Sequence, residues 1–315
     1  MAHDHRHTDT HKHTRTPTHE HGHKHDHDHD HAHSNTDIDW AEMAGHLESQ
    51  AELFAPLYES ALGWLGQEVT EPGLIVDLGS GPGVVSCLFA EVFPGARVLA
   101  VDGSEPLLDR ARARAERLGM ADRFGVLAGQ LPQVLGELDY PADLLWAGHS
   151  LHHLGDQRAA LTAFAERLAP GGTLAVLEGG LPSRFLPRDI GIGRPGLQAR
   201  LDAVQEEWFA RMRAELPGSV AETEDWPTLL ASAGLQHART RSFLIDLPAP
   251  ASDRARTYAV EIFSRFRDSL TDDLDADDRA ILDRLLDPAD PASLHRRSDL
   301  FVLGVRTLHT AVRPA

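Results

Sequence analysis

The stretch Val76-Asp77-Leu78-Gly79-Ser80-Gly81-Pro82-Gly83 is the part of this chain best suited to cradle a ligand. Glycine lacks a Cβ, so the backbone there can approach a bound molecule closely and adopt positive φ. A helical pattern follows, and a helix N-terminus offers unpaired N–H groups and a partial positive charge. A nicotinamide-dinucleotide fingerprint counted from Gly79 and Gly81 needs a third glycine at position 84. Val84 stands there; the spacing is G-x-G-x-G, with Asp77 two residues ahead of it. A second group of residues could move protons. His149, His152 and His153 lie together, and imidazole titrates near neutral pH, where a general base is useful. Glu178 closes a later apolar run and is a further acidic candidate.

A third group is at the N-terminus. Thirteen of the twenty histidines fall between His3 and His33, many alternating with Asp, as in His25-Asp26-His27-Asp28-His29-Asp30-His31. Imidazoles beside carboxylates suit Zn, Ni, Co or Cu, and Zn or Ni at His25, His27, His29 and His31 is the expectation. The spacing defines no single site, so several weakly held, pH-dependent ions are expected, with a merely solubilising tail as the plainer reading. Residues 1–36 contain almost nothing apolar to offset the entropy of ordering, and are expected to be disordered without metal.

The elements that must position these groups can be read from periodicity. Trp40, Met43, Leu47, Leu53, Phe54, Leu57, Tyr58, Leu62 and Leu65 recur at helical spacing, with Pro56 suggesting a break. Leu74–Leu78 is a short apolar strand, residues 84–93 a helix, Arg97–Asp102 a second strand and residues 104–118 a second helix. Phe124–Ala128 and Ala142–Ala147 are further strands, followed by a helix over 156–168 and a fifth strand over Thr173–Glu178. Alternating strands and helices imply a parallel sheet covered on both faces. The remainder is less regular: helices near 197–215, 224–234 and 253–286, the last interrupted at Thr271–Asp278, and strands over Thr240–Leu247 and Asp299–Val312.

Composition narrows the function. The chain has 315 residues, 42% of them apolar, and a formal net charge of -18. That charge repels a polyanion, so no nucleic-acid partner is expected. No apolar run is long enough to cross a bilayer, no signal-peptide core is present, and Cys87 is the one cysteine, which together suggest a cytoplasmic protein without membrane contact.

The order of these motifs resembles the class I S-adenosylmethionine-dependent methyltransferases. The resemblance is strong over residues 73–180 and looser beyond. It implies an α/β fold of the doubly wound Rossmann-like type, mostly parallel with one antiparallel C-terminal strand and helical lid insertions. It divides the chain into a tail (1–36), an N-terminal helical lid (37–70) and a methyltransferase domain (71–315) with insertions at about 182–217 and 253–290. The glycine loop, through Asp77, Gly79, Ser80, Gly81 and Gly83, would hold S-adenosylmethionine. Asp102 and Gly103 end the second strand, where the family's carboxylate accepts hydrogen bonds from the ribose diol. Gln130 stands where the family often has an Asp facing the adenine amino group, and a Gln carbonyl can take the same bond. Ala147 and His149 belong to the motif after the fourth strand, and Leu168–Leu174 resembles the turn into the fifth.

The implied activity is methyl transfer to a small organic acceptor. Such a transfer relies on alignment and desolvation, and needs a base only if the nucleophile must lose a proton. His149, His152 and Glu178 are the catalytic candidates, although paired histidines in this family also serve as packing or helix-start residues. Trp40, Tyr58 and the 182–217 insertion are expected to line the acceptor pocket, and the 253–286 segment to form a lid or a homodimer face. A metal-handling or regulatory protein that only senses S-adenosylmethionine, and a protein methyltransferase, are the rival readings.

Overall fold

A computed structural model of the chain describes residues 40–315, with side chains from Met43 onward. The histidine tract, including His25, His27, His29 and His31, and the side chain of Trp40 lie outside the described residues.

Strands β1 (Leu74–Leu78), β2 (Arg97–Asp102), β3 (Phe124–Ala128), β4 (Ala142–Gly148), β5 (Leu168–Arg184), β6 (Gln236–Leu247) and β7 (Val302–Val312) make one seven-stranded sheet in the order β3-β2-β1-β4-β5-β7-β6. The first five run parallel, and β7 runs antiparallel to both of its neighbours. This is the mostly parallel Rossmann-like methyltransferase sheet with an antiparallel last strand. Strand order reverses between β1 and β4, and ligands bind outside the carboxyl ends of strands at such a switch point.

Strand periodicity divides the core. Ile75, Leu144, Trp146, Ala175 and Leu177 face one apolar cluster, while Val76, Leu145, Ala147, Leu174 and Val176 face the other. That is the two-residue alternation of a sheet covered on both sides. The first cluster takes in helices α1 (Trp40–Leu53), α2 (Ala55–Leu65), α3 (Val84–Val92), α8 (Asp253–Ser269) and α9 (Ala276–Leu286). The second takes in α5 (Gln157–Glu166) and α7 (Trp226–Ser232). Helix α4 (Glu105–Arg117) follows β2, and α6 (Leu197–Glu215) follows β5.

Several helices start where side chains satisfy their orphan N–H groups. Asp156 accepts from the Ala159 N–H at 2.9 Å, and Asp275 from the Asp278 N–H at 2.8 Å. The break expected at Pro56 falls at Phe54, because proline is tolerated only in the first turn of the helix it opens. Strands β5 and β6 extend beyond the bounds expected from the sequence, while β7 starts at Val302 rather than Asp299. β6 begins at Gln236 and pairs with β7 as a long ribbon, and β5 extends past Glu178 to Arg184 through irregular register. None of the described helices is long and apolar enough to cross a membrane.

Candidate active site

The glycine loop turns from β1 into α3 with φ of 75° at Gly79, 54° at Gly81 and 74° at Gly83. Each positive value favours glycine, but the three have different surroundings. A Cβ on Gly79 would lie 2.7 Å from Cβ of Ser150, and one on Gly83 would lie 2.5 Å from Cβ of Ala111. Those two glycines press the loop against the segment after β4 and against α4. A Cβ on Gly81 would meet nothing within 4 Å, so this glycine faces open space.

The loop is tied to the end of β2. Gly79 and Ser80 donate their N–H groups to the Val101 carbonyl at 2.8 and 3.0 Å. Asp102 accepts from the Gly81 N–H at 2.9 Å through Oδ2 and from the Ser104 N–H at 2.9 Å through Oδ1. Each carboxylate oxygen keeps lone-pair capacity for another donor. Gly103 lets Gln130 close in: a Cβ there would sit 2.6 Å from Gln130 Nε2. Asp77 is buried under the loop, where Ser86 Oγ donates to it at 2.5 Å. Burial pushes the Asp77 carboxyl up to about 7 against that hydrogen bond, and the nearby Asp102 charge adds to the rise. Ala147 is fully buried at the end of β4.

Two buried hydroxyl oxygens here, Ser80 Oγ and Ser150 Oγ, have no hydrogen-bond partner among the described residues. Buried polar atoms are normally paired. With the open face of Gly81 and the carboxylate of Asp102, they form a cradle that fits a polar nucleoside ligand.

The segment after β4 carries the histidines. His149 has φ of 55°, and burial pushes its imidazole down to about 4 despite the Glu178 charge. Leu151–His153 form a single 3-10 turn. His152 Nδ1 lies 3.1 Å from Glu178 Oε2, while Glu178 Oε1 accepts from the Leu151 N–H at 3.0 Å. Burial alone would raise the Glu178 carboxyl; His152, His149 and the Leu151 N–H outweigh it and hold the group below its ordinary value. The His152 and His153 rings are 4.2 Å apart, so the tight turn brings neighbours together that an α-helix would splay. Burial also pushes His153 down to about 4.

Ser150, within the motif after β4, backs Gly79. Two further contributors to this site, on α6, carry no motif in the sequence. Arg213 of α6 donates to the carbonyls of His152 at 2.8 Å and Leu154 at 2.7 Å, which docks the 182–217 region on the histidine turn. Phe209, one helical turn earlier, lies 5.7 Å from the His152 ring. The sequence marks a helix around 197–215 and does not say what that helix touches. The described residues contain no cluster of three or more His, Cys, Asp or Glu placed to hold a metal ion.

Residues 76–174 match the family model for a methyltransferase domain. The chain carries a methyltransferase domain over these residues. That match begins in β1 and runs through the glycine loop, Asp102, the histidine turn and the start of β5. A trans-aconitate 2-methyltransferase of Methylobacterium radiotolerans is 34% identical over 168 residues, covering 50% of this chain and 61% of that protein. A demethylmenaquinone methyltransferase of Thermus thermophilus is 34% identical over 110 residues, covering 34% of this chain and 47% of that protein. The chain spans less than two thirds of the length of these curated relatives. Among solved structures, a phosphoethanolamine N-methyltransferase 2 of Haemonchus contortus in complex with S-adenosyl-L-methionine is 14% identical, with a TM-score of 0.46 over 88% of this chain and 60% of that one.

Proposed function

We propose that the protein transfers a methyl group from S-adenosylmethionine to a small organic acceptor. The observation that carries this reading is the joined geometry of the glycine loop and Asp102, with an open Gly81 face and the unpaired Ser80 and Ser150 hydroxyls beside it. Asp77, Gly79, Ser80, Gly81, Gly83, Asp102, Gly103, Gln130, Ala147 and His149 form the proposed cofactor site. The relatives named as trans-aconitate and demethylmenaquinone methyltransferases support a small acceptor.

The bound sulfonium supplies an activated methyl group whose leaving group is a neutral thioether. The protein's task is to hold the acceptor in line, exclude water and, for a protonated nucleophile, take a proton. His152 is the proposed base. With Nδ1–H donated to Glu178, its Nε2 is left as the acceptor, and the neighbouring carboxylate stabilises the imidazolium once it forms. Half-buried His149 is the proposed wall between cofactor and acceptor.

The test is incubation of the full chain with S-adenosylmethionine bearing a labelled methyl group, a panel of small alcohols, amines and acids, and separately a cell-protein fraction. Label in a small product is expected. Label confined to protein would overturn the small acceptor, and cofactor binding with no transfer to either would overturn the enzymatic reading.

A further inference from the structure

We propose that Arg306 binds a carboxylate of the acceptor, so that the substrate of this site is an organic acid. The inference rests on the methyl-transfer reading above and names the acceptor's chemical class.

Arg306 lies in β7, paired with Gly180 of β5 and Phe243 of β6. Phe243 is buried in the first apolar cluster, and directly paired residues share a sheet face, so Arg306 projects toward helices α1, α2 and α8. Its guanidinium carbon sits 5.3 Å above the ring of Phe54. The ring of Tyr258 lies 5.6 Å from Phe54 and 5.6 Å from Phe185. Gly180, its partner on β5, lies two residues past Glu178, so this arginine stands at the carboxyl end of the parallel strands, beside the proposed reaction centre.

Arg306 has no carboxylate partner among the described residues. Its Nη1 donates to the carbonyls of Val305 at 2.9 Å and Leu181 at 3.2 Å. Nε and Nη2 make no hydrogen bond among those residues, and neither is sealed away from solvent. A guanidinium presents its donors as a planar fork that matches a carboxylate. The nearby hydroxyls are also short of partners. Tyr58 OH makes no hydrogen bond among the described residues, and Tyr258 OH receives only the Gln50 amide at 3.5 Å.

The second arginine of the region is already compensated. Arg265 Nη2 lies 2.6 Å from His46 Nε2, and His46 Nδ1 lies 2.5 Å from Glu261 Oε2. A guanidinium can only donate, so His46 accepts on Nε2 and passes its Nδ1 proton toward Glu261. This relay sets Glu261 against Arg265 and leaves Arg306 uncompensated. One uncompensated cation in a low-polarity wall matches one negative charge, a carboxylate rather than a phosphate dianion.

The test uses the full chain saturated with S-adenosylhomocysteine and a panel of benzoate, cinnamate, succinate and propane-1,2,3-tricarboxylate, each beside its primary amide, with phenyl phosphate as the phosphate arm. Calorimetry on wild type, R306Q and R306K is expected to show at least one acid bound tenfold or more above its amide. R306Q should lose that binding tenfold or more, R306K should lie between, and S-adenosylhomocysteine affinity should stay within twofold throughout. No acid preferred over its amide, phenyl phosphate preferred over every acid, or R306Q binding the acid within twofold would overturn the proposal. Loss of the nucleoside in R306Q would assign Arg306 to the cofactor instead and overturn it as well. The acid-against-amide comparison on wild type stands even if R306Q fails to fold. A wild type that binds no S-adenosylhomocysteine would defeat the underlying cofactor reading, a separate outcome.

Discussion

His152 Nδ1 and Glu178 Oε2 stand 3.1 Å apart, bringing the turn after β4 against the end of the parallel part of β5. The pair fixes the imidazole tautomer and holds the turn through the Leu151 N–H on the same carboxylate. Removing the ring removes the proposed proton acceptor. His152→Ala is expected to lower turnover by about a thousandfold, within the range for a general base, with S-adenosylhomocysteine affinity unchanged. His152→Asn keeps a donor for Glu178 and should restore the fold of the turn without the rate. Steady-state kinetics beside calorimetry separates the two roles; an Asn variant with near wild-type turnover would reduce His152 to a positioning residue.

Gly81 and Gly83 should fail in different ways when given a Cβ. At Gly83 the new methyl group meets Ala111 at 2.5 Å and the φ is 74°, so strain and overpacking add. Gly83→Ala should lose about 3 kcal/mol of stability. Gly81→Ala keeps its φ cost of roughly 1–2 kcal/mol but meets no neighbour, so it should stay folded and bind S-adenosylhomocysteine at least tenfold more weakly. Denaturant melts and calorimetry on both variants check this. Equal stability losses, or full nucleoside affinity in Gly81→Ala, would contradict it.

The buried Asp77 gives the fold a pH signature. Burial holds its carboxyl up at about 7, so between an ordinary carboxylate value of roughly 3.9 and about 7 the folded chain keeps a proton that the unfolded chain has lost. The stabilisation is therefore complete below the unfolded value and disappears as pH rises through about 7. Asp77→Asn retains an acceptor for Ser86 and should melt above wild type at pH 8, with the gap closing toward pH 4. Melting temperatures without nucleoside across that range provide the check, and a pH-independent gap would show that Asp77 is ionised throughout.

Much of the fold was legible because its period is local. Leu74–Leu78, Arg97–Asp102 and Ala142–Ala147 are short apolar runs ending at glycine or an acid, and β1, β2 and β4 lie on them. The glycine loop and Asp102 were legible for the same reason, since strand-end chemistry follows from strand register. What depends on distant pairing was not. Arg306 sits in a strand-like run without a motif, and only the antiparallel ribbon with β6 and the Phe54 contact reveal the side it faces. Ser150 stands in the motif after the fourth strand, but its place behind Gly79 emerges only when the fold brings the two together. The Arg213 contacts join residues some sixty positions apart, a separation that no spacing rule spans.

The most direct measurement is titration calorimetry of the purified full chain with S-adenosylmethionine and S-adenosylhomocysteine, beside Asp102→Ala and a nicotinamide dinucleotide control. Saturable binding of both nucleosides, weakened tenfold or more in Asp102→Ala with no binding of the dinucleotide, is the expected result. No heat with either nucleoside, together with tight binding of the dinucleotide, would contradict the cofactor assignment and the methyl-transfer reading built on it.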